Sequence, residues 1–421
     1  MHVTKLALAS AILASILLPL FAVIASAQTE SVIFNFSDSK DGGPAGPLIS
    51  DAAGNFYGTT FGGGSDFCQF GSCGTVFELS PLGNTWTHRV LYEFGGPDGA
   101  EPLGDLVFDT SGNLYGTTSA GGTNNCGVVF ELSSAPGGTW TQKVLHTFTK
   151  IPDGCSPAGG LTLDAAGNLY GMTEYGGTEK SLGTVFELMP DPNGLWTEKI
   201  LHTFGERPLD GANPWYSGLT FDSAGNLYGT TASGGAYTWA GTVFELTPMK
   251  SGLWSEKILH NFGRDYYKEA QPEGNLVIDA RGNLYGMTTW GGYYSAGTVF
   301  ELSPDPADGG WVETVAHNFG RDRTDGTSPQ GPGLIMDADG NLYGTSTFGG
   351  IYDGGVAFKL SRTPGAVWVE DILHSFGKVP DASSPYSGMI FDSAGNLYGT
   401  TFAGGYQGSG AVFEIMHARV E

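Results

Sequence analysis

Short runs of apolar residues alternate with glycine-rich polar segments along the chain, and this alternation is periodic. One unit contains the stretch from Gly225 to Thr231, which reads Gly-Asn-Leu-Tyr-Gly-Thr-Thr. Seven copies of this stretch follow one another at intervals of 55 to 58 residues. A near-constant period of this size indicates supersecondary units that bury their apolar faces against each other.

Each unit predicts four short strands. In the fourth unit they are residues 218–222, 226–231, 241–246 and 254–262, and Asp and Gly residues mark a tight turn between the first two. Apolar and aromatic residues occur on both strand faces, and no segment shows helical periodicity. The pattern therefore favours antiparallel sheets that are covered on both sides by neighbouring sheets.

Seven such units predict an all-β fold, a seven-bladed β-propeller with four-stranded antiparallel blades. The rival fold is a linear β-solenoid, which requires caps at its ends. Residues 31–36 resemble a fourth strand, whereas the chain finishes on a third strand at residues 410–415. We expect the N-terminal strand to complete the last blade and so close the ring without an open edge.

The repeated motifs resemble a known family. The pattern Asp-x-x-Gly-Asn-Leu-Tyr-Gly-Thr-Thr, followed by Gly-Thr-Val-Phe-Glu-Leu and Leu-His-x-Phe-Gly, is similar to the tandem GloVer (Gloeobacter and Verrucomicrobia) repeat of exported bacterial proteins. Its first two strands also resemble the NHL type of propeller repeat. The resemblance covers the whole chain after the leader segment, and it implies no particular activity.

The first 27 residues predict a secretory signal peptide. A basic start with His2 and Lys5 precedes an apolar run over residues 6–25, and Ala25-Ser26-Ala27 fits a cleavage site. A retained membrane anchor is the alternative, because the run is nearly long enough to span a bilayer. We expect residues 28–421 to form one propeller, secreted or periplasmic, monomeric and without membrane contact after cleavage.

The formal net charge of −24, with only 19 lysines and arginines, argues against a nucleic-acid partner. This net charge is compatible with neutral or cationic ligands.

Four cysteines in an exported chain predict two disulfides. Cys68 and Cys73 share one loop. Cys126 lies between the second and third strands of blade two, and Cys155 lies in the crossing to blade three. Both loops should emerge on the same rim, so we expect Cys126 to pair with Cys155 and Cys68 with Cys73. Free thiols are the alternative.

Several polar and aromatic residues recur once per unit, which favours structural roles. The hairpin aspartates, such as Asp222, are expected to accept hydrogen bonds from the turn. Third-strand glutamates and fourth-strand histidines, such as Glu245 and His260, could form cross-strand pairs within a blade, and we expect them to satisfy polar groups between blades. Acid/base dyads are the functional alternative. Trp254 and its equivalents are expected to pack between strands. The sequence shows no Ser-His-Asp arrangement, no Cys/His zinc spacing and no catalytic residue to propose.

Aromatic residues outside the repeat pattern concentrate in the two classes of connection that share one rim, between strands two and three and between successive blades. We call this surface the connection rim. Binding residues on a repeat scaffold usually lie where the units differ from one another. We therefore interpret these aromatic residues as a ligand-binding face. The alternative is packing over loop backbones. The residues are Trp215, Tyr216, Tyr237, Trp239, Tyr266, Tyr267, Trp290, Tyr293, Tyr294, Tyr352, Tyr386 and Tyr406.

An acidic residue also recurs in the inter-blade connections, four positions before a proline. A ring of such carboxylates near the channel mouth could hold a cation or a basic group of a ligand. The alternative is turn chemistry, because Asp-Gly before Pro is a common turn composition. We expect no cofactor apart from a structural cation such as Ca²⁺ at this ring. The residues are Asp98, Asp153, Asp210, Asp325 and Asp381.

These features favour a non-catalytic binding or scaffold module whose ligand is a carbohydrate or a protein. The alternative function is a hydrolase or lyase with an acidic, metal-assisted site at the channel mouth. Turnover abolished by a single Asp substitution would favour the enzyme, and glycan binding without turnover would favour the module.

Overall fold

The computed structural model of the chain describes residues 30–37, 41–65, 68, 72–237, 239–263, 270–307, 309–331, 333–377 and 381–416. The predicted signal peptide and the candidate ligand residues Tyr266 and Tyr267 lie outside this part of the chain. Over the described ranges no helix is long and apolar enough to cross a membrane. Their main elements are seven four-stranded antiparallel sheets, which form the blades of a ring. The predicted seven-bladed β-propeller is confirmed.

The blades follow one another in chain order. Blades one to three consist of Ile49–Ser50, Phe56–Thr60, Thr75–Leu82 and Thr85–Glu93; Val107–Phe108, Leu114–Thr118, Val128–Ser134 and Trp140–Thr147; and Thr162–Leu163, Leu169–Thr173, Thr184–Pro190 and Trp196–Thr203. Blades four to six consist of Thr220–Phe221, Leu227–Thr231, Thr242–Pro248 and Trp254–Asn261; Ala270–Ile278, Leu284–Trp290, Thr298–Pro304 and Trp311–Asn318; and Ile335–Met336, Leu342–Ser346, Val356–Arg362 and Trp368–Ser375.

Blade seven is assembled from both ends of the described chain. Its strands are Met389–Phe391, Leu397–Thr401, Ala411–Ile415 and Glu30–Asn35. The N-terminal strand runs antiparallel to the last one, with Ser31 opposite Glu414 and Asn35 opposite Ala411. This pairing confirms the predicted closure, because the third strand of blade seven would otherwise present an open edge.

Two-residue strands tie the loops of the connection rim together. Three inter-blade connections pair in this way with the loop between strands two and three of the blade that they enter. The pairs are Gly211–Ala212 with Ser233–Gly234, Gly326–Thr327 with Phe348–Gly349, and Ala382–Ser383 with Ala403–Gly404.

The hairpin aspartate organises the first two strands of each blade. In blade four the Asp222 carboxylate accepts hydrogen bonds from the backbone N–H groups of Ala224 (2.8 Å) and Asn226 (2.9 Å). It also accepts the side-chain amide of Asn226 (2.8 Å) and the hydroxyl of Tyr228 (3.2 Å). Burial alone would raise the pKa of Asp222, but these hydrogen bonds outweigh it and hold the pKa below its usual value. The predicted structural role of this aspartate is confirmed.

The glycine that follows this tyrosine makes room for a phenylalanine. Gly229 lies opposite Phe244 on the third strand, and a Cβ atom at Gly229 would lie 2.7 Å from Cζ of that ring. The absence of a side chain lets Phe244 lie flat across the blade, where it is fully buried. The same close approach recurs at Gly58, Gly116, Gly171, Gly286, Gly344 and Gly399.

The apolar cores lie between blades rather than within them. One core combines Tyr170 and Phe204 of blade three with Leu227 and Phe244 of blade four. At its edge the ring of Trp254 contacts that of Tyr170, with centroids 6.3 Å apart. The tryptophans that begin the fourth strands therefore pack against the preceding blade, as predicted.

Both predicted disulfides are present. Cys68 pairs with Cys73, with Cα atoms 5.3 Å apart, and Cys126 pairs with Cys155, with Cα atoms 4.4 Å apart. The second bridge joins two neighbouring loops of the connection rim, which confirms the topological argument for it.

Removal of the closing strand should open the ring. We expect a variant lacking residues 28–40 to aggregate or to melt at a markedly lower temperature, because blade seven would expose an unpaired edge. A synthetic peptide of residues 28–40 should restore the melting temperature, and a scrambled peptide should not. An unchanged melting temperature of the truncated protein would contradict closure by this strand.

Filling the space of one motif glycine should destabilise the protein. We expect Gly229→Ala to lower the free energy of unfolding by about 1–3 kcal/mol through overpacking against Phe244. Gly365→Ala is the matched control, since its added Cβ would lie 3.9 Å from the nearest atom, and it should change stability by less than about 0.5 kcal/mol. Urea denaturation of both variants measures the difference, and equal effects would show that the contact is unimportant.

Candidate functional site

The first strands of the blades surround the propeller axis, and the fourth strands lie on the outside. The side chain of Asn275 in blade five donates a hydrogen bond to Asp105 of blade two across the ring (Nδ2 to Oδ2, 3.0 Å). The backbone N–H of Gly218 donates to Asn275 Oδ1 (2.6 Å). These contacts place polar side chains on the axis itself, between blades that are not neighbours.

One position of each blade faces the central mouth on the connection rim. It is the third residue after the motif glycine, which is Gly229 in blade four. In six blades its N–H donates to the incoming inter-blade connection, as Glu174 does to Ser156 (3.0 Å) and Phe402 to Ser384 (3.0 Å). The backbone is the same in each blade, but the side chain changes. The seven residues are Phe61, Ser119, Glu174, Ala232, Thr289, Thr347 and Phe402.

A cavity of about 380 Å³ opens at this mouth, and we call it the central pocket. Five of its eight lining residues are aromatic and come from blades one, four and seven. Large apolar pockets with a few polar groups are the usual ligand sites of proteins. The lining residues are Ala45, Phe61, Glu101, Leu103, Trp215, Tyr216, Tyr386 and Phe402.

Three of the predicted aromatic residues form one wall of the central pocket. The rings of Trp215 and Tyr216 meet edge to face with centroids 4.8 Å apart, and Tyr216 meets Tyr386 in the same way at 5.5 Å. Tyr216 has a positive φ of 48°, which is uncommon for a bulky residue and marks a constrained position. Burial, with a contribution from Glu273, raises the pKa of Tyr386 to about 12.

Two buried carboxyl groups lie close to this wall. Glu174 and Glu273 are 5% and 8% exposed, and the Oε2 atom of each has no hydrogen-bond partner. Burial raises the pKa of each to about 7, even though Tyr175 and Ser156 oppose the shift at Glu174 and Thr289 opposes it at Glu273. Both charges also help to raise the pKa of Tyr216, whose own burial is the larger cause. The site therefore combines aromatic faces with carboxyl groups that can change protonation near neutral pH.

The other predicted aromatic residues that are described lie on the connection rim of blades four to seven, outside the central pocket. Each is exposed, and Tyr293 and Tyr406 are the most exposed, at 84% and 83%. Tyr293 and Tyr294 contact each other edge to face at 4.9 Å. We call this set the rim arc; it consists of Tyr237, Trp239, Trp290, Tyr293, Tyr294, Tyr352 and Tyr406.

The acidic residues of the connections do not surround the mouth, so that expectation is wrong. Asp210 lies beside His202 of the outermost strand of blade three, at 3.3 Å. Asp98 likewise accepts a hydrogen bond from Tyr92 on an outermost strand. Each connection starts at the outside of the ring, and the aspartate comes early in it.

Third-strand glutamates and fourth-strand histidines do not form cross-strand pairs within a blade, whereas the histidines contact glutamates of the next blade, as His202 contacts Glu256. His260 lies opposite Val243, and Glu245 lies opposite Lys257. Glu245 instead accepts a hydrogen bond from Tyr228 (3.4 Å). A bulge in the fourth strand shifts the register between these positions.

Glu101, Glu174, Glu273, Phe61 and Phe402 did not emerge as candidates from the sequence. Three of them could have been found, because Phe61, Glu174 and Phe402 follow the Gly-x-Thr end of the repeated motif, where the side chain varies from blade to blade. That these side chains point toward one common mouth depends on the curvature of the ring, which is a property of the tertiary structure.

Comparison with known proteins places the chain in a family. The sequence profile described as the Gloeobacter/Verrucomicrobia repeat matches residues 19–221 and 216–420. The chain belongs to this repeat family. The resemblance in the repeated motifs is thereby confirmed. No curated protein sequence matches this member of the Gloeobacter/Verrucomicrobia repeat family.

Two solved structures are similar in fold to this family member. One is PorZ, described as an essential bacterial surface component of the type-IX secretion system of Porphyromonas gingivalis, with 17% identity and a TM-score of 0.43. The match covers 77% of this chain and 42% of the PorZ chain. The other is a protein of unknown function from Dyadobacter fermentans, with 12% identity, a TM-score of 0.42, and coverage of 92% of this chain and 98% of that one.

The buried carboxyl group of Glu273 should make stability depend on pH. Its pKa is raised in the folded state, so its ionisation destabilises the fold as pH rises from 4.5 toward about 7. We expect Glu273→Gln to be more stable than the native protein at pH 8, by roughly 3 kcal/mol if the whole shift is realised. At pH 4, where Glu273 is neutral in both states, the two proteins should unfold at the same urea concentration. An equal difference at both pH values would show that Glu273 does not titrate as proposed.

Proposed function

We propose that this protein is an exported, non-catalytic binding module that takes a carbohydrate chain at the central pocket. The observation that carries the proposal is the convergence of Trp215, Tyr216 and Tyr386 on one mouth, together with two phenylalanines and Glu101. The residues that differ between blades are concentrated there, and the rest of each blade follows the repeat.

A carbohydrate fits this chemistry for two reasons. The C–H faces of a sugar ring pack on aromatic side chains, which present flat apolar surfaces. Its hydroxyl groups can donate to carboxylate oxygens, and Glu101 supplies a carboxyl group in the lining of the central pocket. The net charge of −24 disfavours strongly anionic chains.

The rim arc supports an extended ligand rather than a single small sugar. Its aromatic residues continue from blade four to blade seven around the mouth, and they are exposed. Exposed aromatic surface is enriched where proteins bind partners. A chain that fills the central pocket would then extend over the rim arc.

Export is part of the proposal and rests on two observations. The structure contains two disulfides, which persist in oxidising compartments. The first 27 residues also have the composition of a cleaved signal peptide.

A hydrolase or lyase is the second candidate function, and one observation favours it. Glu174 and Glu273 both have a pKa of about 7 and lie near Tyr216, as a general acid and a general base would. This site is not the set of acidic residues that the sequence suggested for an enzyme. Those aspartates lie in the inter-blade connections, beside the outermost strands.

A glycan array with the labelled mature protein tests the binding function, followed by calorimetry with the glycan that binds best. We expect Trp215→Ala to weaken binding about thirtyfold, because truncation of an aromatic anchor costs roughly 2 kcal/mol. Leu253→Ala removes an exposed apolar side chain outside the connection rim and is the matched control.

The outcomes separate the candidate functions. Glycan binding without shortened products supports the module, whereas products that disappear in Glu174→Gln or Glu273→Gln would establish the enzyme. Absence of binding to every glycan, or equal weakening by Trp215→Ala and Leu253→Ala, would overturn the assignment to the central pocket.

A further inference from the structure

A second group of polar residues lies far from the central pocket, at the outer junctions between blades. One such group contains His202 on the fourth strand of blade three, Asp210 in the following connection, and Glu256 on the fourth strand of blade four. We call each group of this kind a junction cluster. The other three are His146, Asp153 and Glu198; His317, Asp325 and Glu370; and His374, Asp381 and Glu30.

We propose that the junction cluster of His202, Asp210 and Glu256 binds a divalent first-row metal ion, with Zn²⁺ as the matching ion, and that the clusters of His146 and His317 do the same. One imidazole nitrogen and two carboxylate oxygens are typical ligands of such ions. Ca²⁺ fits less well, because it takes oxygen ligands only. This site is independent of the proposed carbohydrate site.

The distances in the cluster suit a tetrahedral ion. Nε2 of His202 lies 3.3 Å from Asp210 Oδ1 and 3.4 Å from Glu256 Oε1. Metal–ligand bonds of about 2.0–2.1 Å place neighbouring ligand atoms of a tetrahedron about 3.3 Å apart. Direct hydrogen bonds between these groups would favour distances of about 2.7–2.9 Å.

The second observation is that the side chains of the cluster are buried without a full set of hydrogen-bond partners. The side chains of His202, Asp210 and Glu256 are only 6%, 1% and 3% exposed, and Oε1 of Glu256 has no hydrogen bond. A single imidazole nitrogen faces both carboxylates, so one N–H group cannot satisfy both of them well. The same lack recurs in the oxygen of Glu198 that faces His146 and in the oxygen of Glu370 that faces His317.

The second oxygen of the aspartate is held in place. Asp210 Oδ2 accepts a hydrogen bond from the backbone N–H of Gly205 at 2.8 Å, which leaves Oδ1 directed at the imidazole. Such outer hydrogen bonds orient the ligands of metal sites. Arg207 approaches the other oxygen of Glu256 at 3.9 Å from an exposed position.

The repeats provide an internal comparison. Histidine and glutamate occur together at five junctions, the four junction clusters and the pair His260 and Glu313. At the junction of blades one and two the set is Tyr92, Asp98 and Gln142, which connect by direct hydrogen bonds to Asp98. The imidazole and the carboxylate of the next blade are therefore replaced together, as expected of two ligands of one ion.

Protons compete with the metal ion for the ligand atoms of the junction cluster. Carboxyl groups and imidazoles bind a metal ion in their deprotonated form. Metal binding must displace these protons, so the affinity for Zn²⁺ should fall as pH decreases from 7.5 to 5.5.

The test is metal binding by the full mature protein after removal of metal with EDTA. Zn²⁺ titration by calorimetry gives the stoichiometry, and Co²⁺ substitution gives a visible spectrum that reports four-coordinate nitrogen and oxygen ligation. We expect His202→Tyr combined with Glu256→Gln to lose one equivalent of bound metal. This variant reproduces the residue set of the junction of blades one and two, so it should fold.

The reverse variant sharpens the test. Tyr92→His combined with Gln142→Glu should gain one equivalent of Zn²⁺, whereas Glu245→Gln, outside the clusters, should leave the count unchanged. The proposal is overturned if the native protein binds neither Zn²⁺ nor Co²⁺, because protons then satisfy the clusters. It is equally overturned if the folded His202→Tyr, Glu256→Gln variant keeps the native stoichiometry.

Discussion

The burial of apolar faces between blades is the constraint on which the rest of this structure depends. A core such as that of Tyr170, Phe204, Leu227 and Phe244 belongs to two blades and would be half exposed in either one alone. The same holds at the closure, where Phe36 and Val412 of blade seven pack with Phe56 and Phe77 of blade one. Each blade is therefore stable only in the ring, and the ring requires its closing strand.

This constraint explains why the repeat is strict in some positions and free in others. Gly229 and Phe244 contact each other at a blade interface, and their equivalents are the same residue types in all seven blades. The third residue after Gly229 and its equivalents makes backbone hydrogen bonds that do not depend on the type of its side chain, so that side chain can vary. It is phenylalanine at 61, glutamate at 174 and alanine at 232. The central pocket is built from this freedom.

Carboxyl groups illustrate the same division between scaffold and site. Asp222 accepts four hydrogen bonds from its own hairpin, which hold its pKa low and leave it no capacity for other chemistry. Glu273 at the mouth and Glu256 at an outer junction are buried with an unpartnered oxygen and a raised pKa. Buried polar groups that the fold leaves unsatisfied are where ligands can bind.

The sequence by itself determined the features that depend on order and period. The spacing of the motif predicted seven blades, and the permuted ends predicted closure by the N-terminal strand. Turn chemistry predicted the role of Asp222, and loop order predicted the bridge between Cys126 and Cys155. Each of these follows from local geometry or from the alternation of strand direction.

Only the tertiary structure decided which side chains meet across blades. His202 finds its partners in the next connection and the next blade, so no pattern within one unit could pair it with Glu256. The same connection runs from the outermost strand to the axis within a few residues. Asp210 therefore lies beside the outermost strand, whereas Trp215, just after Pro214, reaches the central pocket. Sequence distance cannot resolve this difference, because the radius and curvature of the closed ring set the position of each residue.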